Sequence, residues 1–412
     1  MFAPDTVVSL DRHDPLKLKR DEFLLPSDTI YMDGNSLGAL PKQAKDRVAK
    51  VVEQQWGNDL IHSWNKHHWI DLPLKVGDKI AALIGAEKGQ VIACDSTSVN
   101  LFKVLASALK INSQRHVVLS QRDNFPTDLY MVQGMSEFLG DEACQLKSVS
   151  EELLLESLDE SVAVLMLTQV NFRSGRLHDM QSLTKRAHEK GVLVVWDLAH
   201  SAGALEISLD KCEVDFAVGC GYKYLNGGPG APAFIYAAKR HHPYMTQPLS
   251  GWMGHARPFE FEHDYHAGEA MLLFLAGTPN ILSLVVLDAA LDVFSQVDMA
   301  ELRTKSLGLT ELFINCVDST PSLSDFELLS PRNKLERGSQ VAYSHPDAFA
   351  ISQALIAHKV VVDFRAPNII RFGFTPLYLS YQDVWSASQV LIKIVEEQLY
   401  LEPKYNARSK VT

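Results

Sequence analysis

Three short stretches hold side chains whose types and spacing suit one chemistry. In the first, the apolar run Phe216-Ala217-Val218-Gly219-Cys220-Gly221 leads into Tyr222-Lys223-Tyr224-Leu225-Asn226 and then Gly227-Gly228-Pro229-Gly230. A lysine at the end of a buried strand is out of place as a solvated charge. Burial disfavours the ammonium form, which suits an amine that attacks a carbonyl and forms a Schiff base. The glycines let backbone approach a bulky flat ligand closely. By itself the segment also fits a loop lysine whose stem lies along apolar surface beside a structural turn.

The second stretch is Val192-Leu193-Val194-Val195-Trp196-Asp197-Leu198-Ala199-His200. Asp197 ends an apolar run, where an aspartate either caps the next helix or pairs with a protonated pyridine nitrogen and makes the ring a better electron sink. Asp197 and Lys223 are 26 positions apart, about one helix-strand unit. That is the layout expected if one ring lies between them. The third stretch, Cys94-Asp95-Ser96-Thr97-Ser98-Val99-Asn100, opens a helical run over 101–109. Small hydroxyl residues there are either an ordinary cap or an anion site built from helix N–H groups and hydroxyls. No Gly-Lys-Ser/Thr follows, and no G-x-G-x-x-G follows a strand, so neither a P-loop nor a dinucleotide site is indicated.

The elements that must position these groups are legible as alternation. Strand-like apolar runs at 116–119, 162–167, 192–196, 216–220 and 233–236 alternate with helical segments such as 180–190. Such alternation predicts a mostly parallel sheet covered on both faces, with ligands at the carboxyl ends of its strands. Upstream, 30–38 reads as a strand then a turn, 42–58 as a helix, and 1–30 as an arm or short helix. Residues 281–300 read as one long amphipathic helix bridging to a second α/β unit in 301–412.

Bulk properties narrow the class. With 412 residues, 46% hydrophobic and 22% charged, the chain is long enough for two or three domains and has an ordinary globular balance. A formal charge of −11 argues against nucleic acid, whose binding draws on basic excess. The five cysteines are odd in number and form no C-x-x-C pair, so reduced thiols in a cytoplasmic protein are expected. The first twelve residues lack a basic start followed by an apolar run, and no window reaches the ~18 apolar residues of a membrane span. His62, His67, His68, His263 and His266 lack H-E-x-x-H spacing, so no metal is expected.

Taken in order, the motifs resemble those of the kynureninases. These are fold-type I pyridoxal-phosphate enzymes, in the branch shared with class V aminotransferases and cysteine desulfurases. Asp197-Leu198-Ala199-His200, Val214-Asp215-Phe216-Ala217 and Tyr222-Lys223-Tyr224-Leu225-Asn226 carry the core of the likeness. Asp33-Gly34-Asn35-Ser36-Leu37-Gly38 with Pro41, Asn124-Phe125-Pro126-Thr127-Asp128, Gly251-Trp252, Gly277-Thr278-Pro279, Ile370-Arg371-Phe372 and Pro376-Leu377-Tyr378 extend it over residues 30–385. Each motif is weak; their order and spacing are specific.

The resemblance implies an α/β aminotransferase-like fold. A large domain over 31–291 would hold a mostly parallel seven-stranded sheet, and 1–30 with 292–412 would form a smaller α/β domain. It implies that Lys223 carries pyridoxal 5'-phosphate and shuttles protons, that Asp197 pairs with the pyridine nitrogen with His200 close by, and that Tyr222 gives a late proton. Phe125 would stack on the ring, with Asp128 and Thr168 near it. Thr97, Ser98, Tyr222, Trp252 and Thr278 would hold the phosphate, Trp252 and Thr278 from the partner subunit of a homodimer. Arg371 would clamp the substrate α-carboxylate bidentately, and Trp64 and His68 would line an aromatic pocket. Some family members carry Asn at the Thr278 position, which bears on preference between kynurenine and 3-hydroxykynurenine. The implied activity is hydrolysis of L-kynurenine to anthranilate and L-alanine. A class V aminotransferase, a cysteine desulfurase using Cys316 and a non-catalytic cofactor-binding repressor are the alternatives. Cys316 sits in an apolar helical run, where thiols are inert, and no basic DNA-binding segment is present.

Overall fold

The computed structural model describes residues 4–407. Its centre is a seven-stranded sheet built from β1 (Val91–Cys94), β2 (Val117–Gln121), β3 (Gln145–Val149), β4 (Val162–Thr168), β5 (Leu193–Asp197), β6 (Phe216–Gly219) and β7 (Ala233–Ala237). The spatial order is β1-β7-β6-β5-β4-β2-β3, and every neighbouring pair is parallel except the two made by β7. The fold is therefore α/β with a mostly parallel seven-stranded sheet, as the alternation and the resemblance led us to expect.

The strands read as continuous apolar runs because both faces are covered. All seven residues of β4 are buried, yet they alternate between two cores. Leu165 and Leu167 face one apolar cluster with Val194 and Trp196, while Val164 and Met166 face another with Val195 and Val218. Alternate side chains of a strand point to opposite faces, so a run buried on both sides shows no polar alternation. Edge strand β3 is the exception. It is half-buried and carries Lys147, which blunts an edge that could otherwise pair with another chain. That mixed composition hides it in the sequence.

Residues 301–407 build a second, antiparallel sheet from β8 (Glu327–Leu328), β9 (Gln340–Ser344), β10 (Asp363–Arg365) and β11 (Ile369–Gly373), in the order β8-β9-β11-β10. Its helices are Met299–Asp318, Ala348–Ala357 and Tyr381–Glu396. The last opens with a capping box, Ser380 and Asp383 each bonding the other's backbone N–H. The N-terminal segment forms a helix over Pro4–Arg12 and is pinned on this side. Lys305 pairs with Asp14 at 2.7 Å, and Arg20 donates to Asp383 and to the Tyr378 carbonyl, both at 2.6 Å.

Two sequence expectations need correction. The single helix over 281–300 is broken: a helix spans Ile281–Leu291, a short 3₁₀ turn follows at Asp292–Phe294, and a new helix starts at Met299, capped by Asp298. The first piece is not amphipathic. Leu284, Val285 and all of 287–291 are buried, and its one buried charge, Asp288, is met by Lys79 at 2.7 Å, Arg47 at 2.8 Å and Lys75 at 3.2 Å. The helix expected over 42–58 is regular only across Lys42–Lys50; from Val51 to Asp59 it widens to i→i+5 turns.

At the amino ends of β5 and β6, far from their carboxyl edge, Asp215 is almost wholly buried. It accepts from His188 Nε2 at 2.8 Å, His241 Nε2 at 2.7 Å, Arg240 at 2.7 Å and the Val194 N–H at 2.8 Å. Burial alone would raise its carboxyl. The two histidine contacts outweigh that and hold it below the usual carboxylate range. A depressed carboxyl stabilises the fold above its unfolded pKa of roughly 4 and loses that contribution as pH falls through the folded value. Asp215→Asn is therefore expected to cost about 3 kcal/mol in urea unfolding at pH 7, the scale of a broken buried pair. The difference from wild type should shrink as pH is lowered below about 4; equal stability at pH 7 would remove Asp215 as the anchor of this corner.

Candidate active site

Strands β4, β5 and β6 deliver their last residues to one carboxyl edge. Thr168 ends β4 directly beside Asp197, which ends β5 and faces Val218 of β6. The chain leaves β6 through Cys220 and Gly221 and presents Tyr222 and Lys223 over the same edge. Lys223 is buried, with Nζ 3.0 Å from His200 Nε2 and facing the rings of Tyr222 at 5.7 Å and Phe125 at 5.9 Å. Burial and then the Lys223 charge hold His200 well below its ordinary pKa, so its imidazole is neutral.

Two carboxyls share this dry slot. Burial pushes Asp197 up to about 6, against the pull of Lys223. Its Oδ1 accepts from the Ala199 N–H at 2.8 Å, and its second oxygen takes no hydrogen bond from the described residues. Asp128 is driven well above the carboxylate range by burial and then by Asp197. Like charges in a low-dielectric pocket cannot both ionise freely. Thr168 Oγ1 sits 3.3 Å from Asp128 Oδ2 and also bonds Asn124. Asn124, quoted only as part of a motif, emerges as the fastener. Its Oδ1 also takes the Thr168 N–H at 3.1 Å, while its amide reaches Ser120 at 3.2 Å and Asp128 at 3.4 Å.

The hydroxyls of Thr97 and Ser98 open the fifteen-residue helix Thr97–Ile111. The cap is Ser96, whose Oγ takes the Val99 N–H at 3.4 Å. That leaves the Thr97 and Ser98 hydroxyls half-buried and without a hydrogen-bond partner among the described residues. Strand β7 ties this end to the lysine loop: Ala233 N–H bonds the Asp95 carbonyl at 2.9 Å, and a Cβ on Gly221 would sit 2.4 Å from the Pro232 carbonyl. Thr278 is exposed on a small cavity of about 80 Å³ that it shares with Asp95 and Pro232.

The structure does not bring every expected residue to Lys223 within one chain. Trp252 is 41% exposed and packs on Phe259 and Phe261, at 5.7 and 6.3 Å between ring centres. Trp64 packs edge-on to Trp69 at 6.0 Å, and His68 is exposed beside Asp71. Arg371 is buried at 1% exposure rather than open. It donates to the Phe172 carbonyl at 2.5 Å, bonds Asp363 closely, and lies 3.3 Å from Ser36 Oγ. Phe172 in turn meets Phe125 edge-on at 5.2 Å, which places Arg371 behind the ring that faces Lys223. A separate cleft of about 760 Å³, lined by His178, Met180, Ile207 and Leu335 among others, holds none of these groups. No cluster of metal-ligating side chains occurs among the described residues.

A sealed seam closes the site from the N-terminal side. Gly38 N–H bonds the Tyr222 carbonyl at 2.8 Å, and a Cβ there would sit 2.3 Å from the Lys223 carbonyl oxygen. Gly34 likewise leaves no room for a Cβ beside Thr375 and Tyr378. The assembled groups suit a flat, anionic heteroaromatic aldehyde. They offer an amine, a carboxyl oxygen and two helix-N-terminal hydroxyls without hydrogen-bond partners among the described residues, and an aromatic face.

Comparison with known proteins gives the same direction. Residues 302–391 match the family model described as the kynureninase C-terminal domain. The chain is 45% identical to the kynureninase of Pseudomonas fluorescens over 417 aligned positions covering all of both chains. It is 48% identical to that of Deinococcus radiodurans over 94% of this chain and 95% of the relative. In fold it is similar to the apo cysteine desulfurase of Thermococcus onnurineus NA1, with a TM-score of 0.76, 19% identity and 96% and 99% coverage. It is also similar to a variant of C-DES with glycine covalently linked to its PLP cofactor, with a TM-score of 0.79, 16% identity and 90% and 98% coverage.

Asp197 gives the slot a measurable signature. A carboxyl raised on folding stabilises the fold below its unfolded pKa and loses that contribution as pH rises through the folded value. Protein dialysed free of small molecules should lose stability between pH 4 and 7, by on the order of 2–3 kcal/mol from this group. Asp197→Asn should flatten that slope in urea titrations; an unchanged slope would show that Asp197 is not the raised group.

Proposed function

Because the chain belongs to the kynureninase family, we propose that it hydrolyses the Cβ–Cγ bond of L-kynurenine to give anthranilate and L-alanine, using pyridoxal 5'-phosphate. The observation that carries this reading is that buried Lys223, bonded to His200 at 3.0 Å, and buried Asp197, with one oxygen free of hydrogen bonds from the described residues, lie at the carboxyl ends of neighbouring strands. It occurs in a chain like kynureninases over its full length.

When bound, the cofactor supplies the electron sink that lets a Cα proton and then the Cβ–Cγ bonding electrons leave. Lys223 would hold it through its amine and would move protons at the substrate Cα. Asp197 would pair with the ring nitrogen, and neutral His200 keeps the Lys223 amine placed without adding positive charge. Phe125 would stack on the ring, and Thr168, Asn124 and Asp128 fix the polar floor. Thr97 and Ser98 would take the phosphate at their helix N-terminus. Tyr222, whose phenol is raised by burial and so keeps its proton, would give that proton to Cβ, the carbon retained in alanine. Water adds at the γ-carbonyl, and its oxygen ends in the anthranilate carboxylate.

The reading extends to organisation. Residues 31–291 form the cofactor-binding domain, and 1–30 with 292–412 form the smaller one; 1–3 and 408–412 lie outside the described residues. The enzyme works as a homodimer. Trp252, Phe259 and Phe261 make an exposed aromatic patch that a second copy would cover, and Trp252 and Thr278 then serve the neighbouring site. Trp64 and His68 line the aryl pocket from the same region, and Thr278 bears on acceptance of 3-hydroxykynurenine. The setting is cytoplasmic tryptophan catabolism through the kynurenine pathway, which also feeds NAD biosynthesis. No helix among the described residues is long and apolar enough to cross a membrane. Desulfurase chemistry is disfavoured, because Cys316 is buried and burial raises its thiol.

Purified enzyme loaded with pyridoxal 5'-phosphate is expected to show a visible absorbance band and to release fluorescent anthranilate from L-kynurenine. Lys223→Ala should lose both, with turnover down by at least a thousandfold. A band without anthranilate would move the function to an aminotransferase or lyase.

A further inference from the structure

Lys103 has none of its side chain exposed. It stands on the buried face of the helix Thr97–Ile111, less than two turns from the end where Thr97 and Ser98 sit. A lysine is buried so fully only when it is paired, and an apolar residue would fill that face without the cost of desolvating a charge. What the ammonium bonds must therefore account for it. Side chains on a helix lean toward its N-terminus, which carries Nζ back past Ser96. There it bonds Asp95 Oδ2 at 2.6 Å and the Phe274 carbonyl at 2.5 Å.

The two partners belong to different segments of the phosphate site. Asp95 is the kink between β1 and the helix. Its φ is +45°, a left-handed conformation that a residue with a side chain keeps only where its surroundings hold it. The Ala233 N–H bonds its carbonyl at 2.9 Å while Lys103 takes its carboxylate, so the kink is gripped from both sides. The aim of the Thr97 and Ser98 hydroxyls follows from that kink, with Asn100 adding a second fastening to the Cys94 carbonyl at 2.8 Å. Phe274 closes the 3₁₀ turn Ala270–Phe274 and starts the strap that leads to Thr278. The Met253 N–H bonds the Ala276 carbonyl of this strap at 3.3 Å, and Gly251 leaves no room for a Cβ against it, so the strap and the Trp252 segment move together. Gln247 holds the Leu273 carbonyl at 3.0 Å, and the Cys94 thiol makes a weak contact with the Phe274 carbonyl at 4.0 Å. Lys103 adds a charged tie that joins the helix end to the strap.

We propose that Lys103 is a positioning residue for phosphate binding. Through Asp95 it aims the helix N-terminus that offers Thr97 and Ser98. Through Phe274 it fixes the strap that carries Thr278 and steadies Trp252. The proposal rests on the cofactor and dimer assignments of the preceding section, in which the strap serves the partner's site. One buried ammonium then sets the geometry of two phosphate sites, one in each subunit. A bare positive charge attracting the phosphate would act differently at Asp95. Removing that carboxylate's charge would tighten phosphate binding, whereas losing a fastening loosens it.

The test compares pyridoxal 5'-phosphate with pyridoxal, which has the same ring and aldehyde but no phosphate. Both are titrated into the cofactor-free enzyme and followed by the visible absorbance band. Lys103→Met is expected to raise the dissociation constant of pyridoxal 5'-phosphate by roughly tenfold or more, the scale of misdirected charge-assisted hydrogen bonds. The constant for pyridoxal should stay within about twofold of wild type, since it presents nothing to that end of the site. Asp95→Asn, at a side chain 35% exposed, should weaken the phosphate form alone. The double variant should be no worse than Lys103→Met, because both changes break one contact. Thr278→Val should cost less in the Lys103→Met background than in wild type; strictly additive losses would overturn the Phe274 half of the proposal. Equal weakening of both ligands in Lys103→Met at an unchanged melting temperature overturns the proposal, as does tighter phosphate binding in Asp95→Asn. If Lys103→Met melts early, Asp95→Asn decides alone: a loss confined to the phosphate form supports the tie, and unchanged binding overturns it. A wild type that binds pyridoxal as tightly as its phosphate overturns the phosphate assignment and this proposal together. A wild type that prefers the phosphate, with both variants keeping that preference, overturns only the role of Lys103.

Discussion

The molecule depends on a seam only six residues wide. Residues 33–38 pass between the lysine loop and the second sheet, with Gly38 bonded to the Tyr222 carbonyl on one side and Gly373 to the Met32 carbonyl on the other. Side chains cannot be inserted along it. A Cβ on Gly38 would meet the Lys223 carbonyl, one on Gly34 would meet Thr375, and one on Gly373 would meet Asn35. The two sheets have separate strand orders and share no strand. Placement of Arg371 relative to Lys223 is therefore set by backbone contact through this strip, through the Phe172 carbonyl, and through the 175–177 turn, where the Gly338 N–H bonds the Gly175 carbonyl and the Leu177 N–H bonds the Glu336 carbonyl, both at 2.8 Å. Packed backbone transmits displacement poorly absorbed by rotamers, so the site inherits the stiffness of the seam.

Around that strip the protein concentrates ionisable groups out of water. Lys223, Asp197, Asp128 and His200 occupy one slot; Asp33, Asp363, Arg365 and Arg371 occupy the next. Each group alone would be costly to bury. They are tolerated because every charge has an opposite or neutral polar neighbour: neutral His200 beside Lys223, Asn124 and Thr168 beside Asp128, Ser36 beside Asp363. The imbalances that remain are those a ligand could relieve. The Asp197 oxygen and the Thr97 and Ser98 hydroxyls that have no hydrogen-bond partner among the described residues mark where a cofactor nitrogen and a phosphate would enter.

The sequence displays the first slot well and the second badly. Lys223 and Asp197 stand out because a titratable residue closes a run of buried apolar ones, and the 26-residue interval matches one helix-strand unit. Five of the seven central strands were legible as apolar runs for the same reason. Strand β1 is only four residues long and β3 is half exposed, so neither produces a clear run. Asp363 and Arg365 escape notice because a three-residue strand shows too little alternation to mark a face. Their partner Arg371 lies across a turn whose register no local pattern fixes. The helix break at 295–298 was hidden because apolar residues on both sides are buried against different neighbours, which mimics one continuous stripe. Trp252 and Trp64 sit apart from Lys223 in one chain, a distance that a motif list cannot express.

Strand β1 has a consequence for how the chain is made. It lies at the sheet's edge and its single neighbour is β7, which runs antiparallel and arrives about 140 residues later. During synthesis, β1 and the apolar underside of the helix Thr97–Ile111 must wait for β7 to leave the ribosome. Pairings of such long sequence separation form slowly and leave hydrophobic surface uncovered meanwhile. The helix N-terminus that would hold a phosphate is thus anchored by the last strand to dock. A nascent chain has Thr97 and Ser98 long before it has the scaffold that aims them, so cofactor capture belongs to the end of folding and not to its beginning.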